Sequence, residues 1–194
     1  MDIRRQFFKM RGYTPLPLVL VLIYQSDMNF KLAIIGAVLA LIGEGIRLNG
    51  VRAAGGRTRT RNVGAKELCT WGIFAHMRNP LYIGNALIYF GMVLFAGGRW
   101  LLPLMLILFV YVLIQYGLII SLEEETLMNI FGSEYEKYKA NVPRLWPHLK
   151  PWNSGAEPKF LSNRKLLRTE RSTLLVFVIF ALAVILKEWL NVHW

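Results

Sequence analysis

Five apolar runs, separated by loops that collect nearly all of the positive charge, constrain this chain more than any other feature. They cover about residues 13–25, 29–48, 81–97, 100–121 and 172–190 of 194. About 20 mostly apolar residues cross about 30 Å of hydrocarbon as a helix, so four of the five reach or approach a full span. The first is short and contains Pro15 and Pro17. It either crosses tilted and thinly or pairs with the second as a helical hairpin. Apolar residues make up 55% of the chain, charged residues only 18%, and the mean hydropathy is +0.38, values of a polytopic membrane protein and not of a soluble domain. The predicted fold class is therefore all-α, an integral membrane bundle of five transmembrane helices. Only "GGR" divides the third run from the fourth, which makes those two antiparallel neighbours. In the second, Gly36, Gly43 and Gly45 offer close helix contact.

Charge sets the expected orientation. Four basic residues precede the first run, seven lie from Arg47 to Arg78 and nine from Lys137 to Arg171, against single ones at Lys31, Arg99 and Lys187. Twenty of the 23 thus gather on one side, which the positive-inside rule makes cytoplasmic. The N-terminus is then expected inside and the C-terminal "NVHW" outside. Stretches 49–80 and 122–171 face the cytoplasm together. The net charge of +11 points to anionic headgroups of the lipid bilayer and not to nucleic acid, because the basic residues sit in interhelical loops. Cys69 is the only cysteine, so no intramolecular disulfide and no Cys-rich metal centre is expected. The N-terminus resembles a signal peptide, but no small-residue cleavage site follows, and it reads as a retained first helix. No internal repeat is visible, which weighs against a transporter.

Two cytoplasmic stretches carry chemistry. "AKELCTWGIFAHMRNPLYIG" (65–84) joins a basic loop to the third helix; its apolar residues allow a short interfacial helix, with Pro80 in the first turn of the span. Simple anchoring by Arg78 and Tyr82 is the competing interpretation. "EEETLMNIFGSEYEKYKANVPRLWP" (123–147) opens with three carboxylates at the inner end of the fourth helix, where they repel one another and invite a cationic partner. A solvated acidic helix start is the alternative.

Together, "RNPLYIG", an apolar hairpin of about forty residues and the glutamate stretch resemble the C-terminal core of the isoprenylcysteine carboxyl methyltransferase family and its phospholipid methyltransferase relatives. That family shows R-H-P-x-Y-x-G, two spans, then E-E-x3-L-x3-F-G-x2-Y-x2-Y-x3-V-P or a close variant. The resemblance covers about residues 67–147, some two-fifths of the chain. It implies an integral membrane methyltransferase with a cytoplasmic site for S-adenosylmethionine. By position, the cofactor contacts fall on Lys66, Glu67, Leu68 and Cys69, on Phe74, on Asn79, Pro80, Leu81 and Tyr82, and on Glu123. Asn79 stands where the family usually has histidine, so it can hydrogen-bond but not titrate. The resemblance divides one membrane domain, 1–194, into a hairpin and basic loop (1–65), a methyltransferase core (66–150) and a linker with the last span (151–194).

The chemistry of the cofactor agrees with this placement. Glutamates can accept from its ammonium or ribose, Arg78 can pair with its carboxylate, and Phe74, Tyr82, Tyr135 or Tyr138 can stack on adenine or approach the sulfonium. His76 is divided between interfacial packing and cofactor contact. Methyl transfer from sulfonium needs alignment and a dry path; a carboxylate acceptor arrives ionised, whereas an amine must lose a proton to a base such as Glu124 or Glu125. Arg78 and Glu124 are accordingly the candidate catalytic residues. The acceptor is expected to be a lipophilic small molecule or a prenylated one. Prenylcysteine enzymes carry an arginine one turn before the glutamates; here the aligned residue is Ile119, so a carboxylate acceptor is expected to fare poorly.

A phospholipid amine methyltransferase is the alternative within the class. From another class, membrane sterol-type reductases share a similar C-terminal architecture but bind NADPH, whose phosphate suits the arginines at 57, 59 and 61. Glu44 and Arg47, three residues apart, form an expected ion pair. "KPWNSGAEPKFLSNRK" reads as a flexible linker, and Trp152 and Trp189 as interface anchors.

Overall fold

The computed structural model describes residues 2–55 and 63–190. Arg57, Arg59, Arg61 and the C-terminal "NVHW" lie outside the described residues. Within them the chain is all-helical, without strands, in seven α-helices and one 3-10 turn. Helix α1 (Ile3–Met10) is capped by Asp2, whose side chain accepts from the Arg4 amide, and it buries Phe8. Its apolar face is too short to register as a hydrophobic run, so only its basic residues stand out in the sequence. Helix α2 (Leu16–Gln25) starts with Pro17 in its first turn. Its ten residues rise about 15 Å, half of a hydrocarbon core. Asn29 caps α3 (Phe30–Ala54) by accepting from the amides of Lys31 and Leu32. Helix α4 (Pro80–Ala96) opens on Pro80, where a missing N–H is harmless. Helices α5 (Leu101–Phe131), α6 (Ser133–Asn141) and α7 (Asn163–Trp189) follow. Glycines with positive φ, Gly97 at 62° and Gly132 at 51°, end α4 and α5 and let the chain reverse.

Helices α3, α5 and α7 are long and apolar enough to cross a membrane, while α2 and α4 are shorter apolar helices. Several boundaries differ from expectation: α3 runs to Ala54 instead of about 48, and α7 begins at Asn163 instead of about 172. Helix α5 continues to Phe131, so Glu123–Glu125 lie inside it and do not start a helix. Hydropathy reports the thickness of the bilayer, not the length of the helix, and Glu, Leu and Met propagate a helix well in water. Stretch 66–79 forms no interfacial α-helix, only the 3-10 turn Gly72–Ala75.

The α3–α4 pair is the closest in the fold. A Cβ on Gly36 would fall 2.5 Å from the Gly91 carbonyl oxygen, and one on Gly43 2.6 Å from that of Gly84, so matched glycines seven residues apart bring the backbones together. Gly45 faces open space and takes no part. One core cluster joins α2, α4, α5 and α7 through Leu22, Ile88, Val93, Leu108, Phe180 and Val184. A second, beneath α1, gathers Phe8, Tyr82, Tyr116 and Ile119. At the far end the Gln25 amide donates to the Gly97 carbonyl at 2.7 Å, tying α2 to the end of α4. The expected Glu44–Arg47 pair is present at 3.4 Å, and Arg47 also reaches across to Glu170 of α7, which is fully buried.

Candidate active site

Consecutive residues of α5 point about 100° apart, so its three glutamates face three surroundings. Glu125 pairs with Arg4 of α1 at 2.6 Å on the surface. Glu124 turns inward. Its Oε1 accepts from Arg78 Nε and Nη2, both at 3.1 Å, and from Asn79 Nδ2 at 3.2 Å. Its Oε2 faces Arg144 Nη2 at 3.1 Å. The Arg78 and Glu124 side chains are only 8% and 11% exposed. Arg78 donates further to the carbonyls of Lys139 and Val142, and Asn79 to that of Arg144 at 3.1 Å. One carboxylate thus ties together the start of α4, the inner part of α5 and the chain after α6. Glu123 faces a cavity, beside Tyr82 and Arg11.

The segment after α6 runs back along 67–79 and is pinned to it. Arg78 N donates to Pro143 O at 2.9 Å, His148 N to His76 O at 3.0 Å and Trp152 N to Ala75 O at 2.9 Å. His76 Nδ1 lies 2.7 Å from the His148 carbonyl, so that nitrogen carries the proton. The Trp71 indole donates to the carbonyls of Ala53 and Lys159. The expected flexible linker is therefore irregular but fixed, because its hydrogen-bond partners lie about 80 residues away, beyond any local signal. Trp152 packs against Tyr138 with ring centroids 5.8 Å apart and serves as packing rather than as a membrane anchor. Leu68, Tyr135, Tyr138 and Val142 form a buried cluster, and the Tyr138 hydroxyl donates to the Phe74 carbonyl at 2.8 Å. Burial raises both phenols above their ordinary range and pushes the Cys69 thiol up to about 12.

A cavity of about 930 Å³ runs through this arrangement. Its polar end is walled by Glu67, Cys69, Arg78, Asn79, Glu123 and Glu124. Leu68, Phe74, Pro80, Leu81, Tyr82, Tyr135 and Tyr138 complete that end. Of the residues expected at the site, Lys66 and His76 are not in the wall: Lys66 is exposed, and His76 is taken up by the pinned segment. Further along α2, α3, α4 and α7 the lining becomes apolar, with Val19, Ala40, Leu41, Met92 and Phe177. Between the two ends stand Glu44, Arg47, Asn85, Glu170 and Thr173. Sequence reading missed Arg11, Asn85 and Glu170 as wall residues; only Glu170, a carboxylate within a basic run leading into a span, carried a signal.

Residues 31–134 match the phospholipid methyltransferase family, and the chain belongs to that family of membrane methyltransferases, which use S-adenosylmethionine as methyl donor. Over 84 residues the chain is 33% identical to a methanethiol S-methyltransferase of Crocosphaera subtropica, a match covering 41% of this chain. It spans 29% of that relative's length. No solved structure matches.

Proposed function

We propose that this methyltransferase binds S-adenosylmethionine in the polar end of the cavity and transfers its methyl group to a lipophilic acceptor held in the apolar end. The observation that carries this reading is the continuity of one cavity from Glu123 and Asn79 to Met92 and Phe177. A charged donor and a hydrocarbon-bearing acceptor need such opposed surroundings within one enclosure. The residues fit the donor. Glu123 offers a carboxylate to an ammonium or to ribose hydroxyls, Glu67 lines the same end paired with Lys159, and Phe74 and Tyr135 offer rings to adenine. Arg78 acts mainly by position, since its donors are committed to Glu124 and to carbonyls. Bound there, the donor supplies an electrophilic methyl on sulfur. The chain's part is alignment: Glu124 fixes the floor of the polar end through Arg78, Asn79 and Arg144.

In this reading five helices engage the membrane, α2 only partly, with the N-terminus and the 66–150 core cytoplasmic. A prenylcysteine carboxylate is the acceptor this reading disfavours. Ile119, fully buried against Tyr82 and Tyr116, leaves no cation one turn before the glutamates. A phospholipid amine is one acceptor; the similarity to a methanethiol S-methyltransferase supports a thiol as a second. Family membership favours the methyl donor over NADPH. Calorimetric titration with both ligands tests that choice, and transfer of labelled methyl into a lipid extract, read by mass shift, identifies the acceptor. Binding of NADPH alone refutes the reading.

A further inference from the structure

The middle of the cavity holds a polar cluster that the motif residues leave unexplained. Arg47 on α3 contacts Glu44 at 3.4 Å, donates to Asn85 Oδ1 on α4 at 2.6 Å and pairs with Glu170 on α7. The Arg47 and Glu170 side chains are 11% and 0% exposed, and all four residues line the cavity. Ionisable groups at this depth are expensive and mark function more often than they serve stability. Asn85 stands five residues beyond Pro80 on α4, about 7.5 Å further along the helix. The cluster thus lies directly past the polar end, where the reacting atom of an acceptor must sit if its hydrocarbon occupies the apolar end.

Resting on the reading above, we infer that Glu44, Arg47, Asn85 and Glu170 form the binding site for the acceptor's polar group, and that the site takes an N–H or S–H nucleophile. Arg47 is already committed to two carboxylates and an amide oxygen, so it offers an incoming carboxylate no countercharge. Carboxylate oxygens accept beyond their contacts with Arg47 and so suit a donor group, a neutral amine or a thiol: the new C–N or C–S bond forms as the methyl donor's C–S bond breaks, and the proton lost from nitrogen or sulfur passes to a carboxylate of the cluster. Exposed apolar residues that also line the cavity, Leu16 and Leu41 among them, leave room for a chain reaching in from lipid.

The test uses the full chain in lipid nanodiscs with labelled S-adenosylmethionine and three acceptors in parallel: decylamine, decanethiol and a farnesylated cysteine carboxylate. Amine or thiol turnover should exceed carboxylate turnover, and the two arms separate the sources of the donor group. Asn85→Leu and Glu44→Gln leave the Arg47–Glu170 pair in place, and their melting temperatures report folding. Each should raise the acceptor KM about tenfold or more, the loss of one hydrogen bond, with the Kd for the methyl donor unchanged. A carboxylate preference, an unchanged acceptor KM in both variants, or a parallel loss of donor binding overturns the inference. Absence of donor binding in the unmodified protein instead removes the proposed function, and the inference with it.

Discussion

Replacing Glu124 by glutamine keeps its volume and removes its charge. In the native protein this carboxylate takes two contacts from Arg78, one from Asn79 and one from Arg144, all between 3.1 and 3.2 Å. A charge-assisted hydrogen bond contributes about 1.5–3 kcal/mol, and stranding a buried partner costs about 3–5 kcal/mol. Those contributions do not add, since Arg78 keeps its bonds to two carbonyls and Arg144 is 46% exposed and hydrated. The glutamine amide also turns a donor toward a guanidinium, which leaves one contact repulsive. The net expectation is a loss of about 3 kcal/mol, or about 6–12 °C in Tm for a chain of this length. Differential scanning fluorimetry of the purified protein in detergent measures it. Glu125→Gln is the control, because the Glu125 side chain is 56% exposed and screening leaves the melting temperature nearly unmoved. Equal melting of Glu124→Gln and the native protein would show that the clamp stabilises nothing and that the α4–α5 junction is held by apolar packing alone.

Cys69, whose thiol burial pushes up to about 12, should resist maleimide at pH 7 and react fully once the protein is unfolded in detergent. Burial favours the neutral thiol, so its stabilising contribution is complete below the ordinary thiol range and fades as pH rises toward 12. Rapid native labelling at pH 7 contradicts this. Gly84→Val should abolish assembly, since its Cβ would meet the Gly43 carbonyl at 2.7 Å, whereas Gly45→Ala, with nothing within 4 Å, should be tolerated. Size-exclusion profiles distinguish them. Cysteines at Ser154 and at Arg99, both exposed, should label from opposite faces of sealed vesicles, as the distribution of basic residues requires. Labelling of both from one face would show that α5 does not cross the membrane between them.

What could be read from the sequence was what is local or periodic. Apolar length located one end of each of α3, α4, α5 and α7 to within about a residue, while the other ends of α3, α5 and α7 run on into polar sequence, and Gly36 and Gly43 announced a close helix contact for α3. The paired motifs identified residues that the fold brings together around one cavity. What escaped was set by partners far along the chain. Glu170 lies 123 residues from Arg47, and nothing near it shows that α7 presents a carboxylate to α3. The segment after α6 has the Gly, Pro and Ser content of a linker, and only its bonds to Ala75, His76 and Arg78 reveal that it is held against 75–78. The same distance effect hid the clamp: three adjacent glutamates read as one acidic patch, although helical geometry sends each to a different partner.

The most direct test of the account is calorimetric titration of S-adenosylmethionine into the native protein and into Glu123→Gln. Glu123 faces the cavity from α5 while Glu124 alone holds the clamp, so the substitution should leave the melting temperature intact. The account predicts a Kd weakened about ten- to a hundredfold, the loss of one charge-assisted hydrogen bond. An unchanged Kd in a folded Glu123→Gln protein would put the methyl donor somewhere other than the polar end of this cavity.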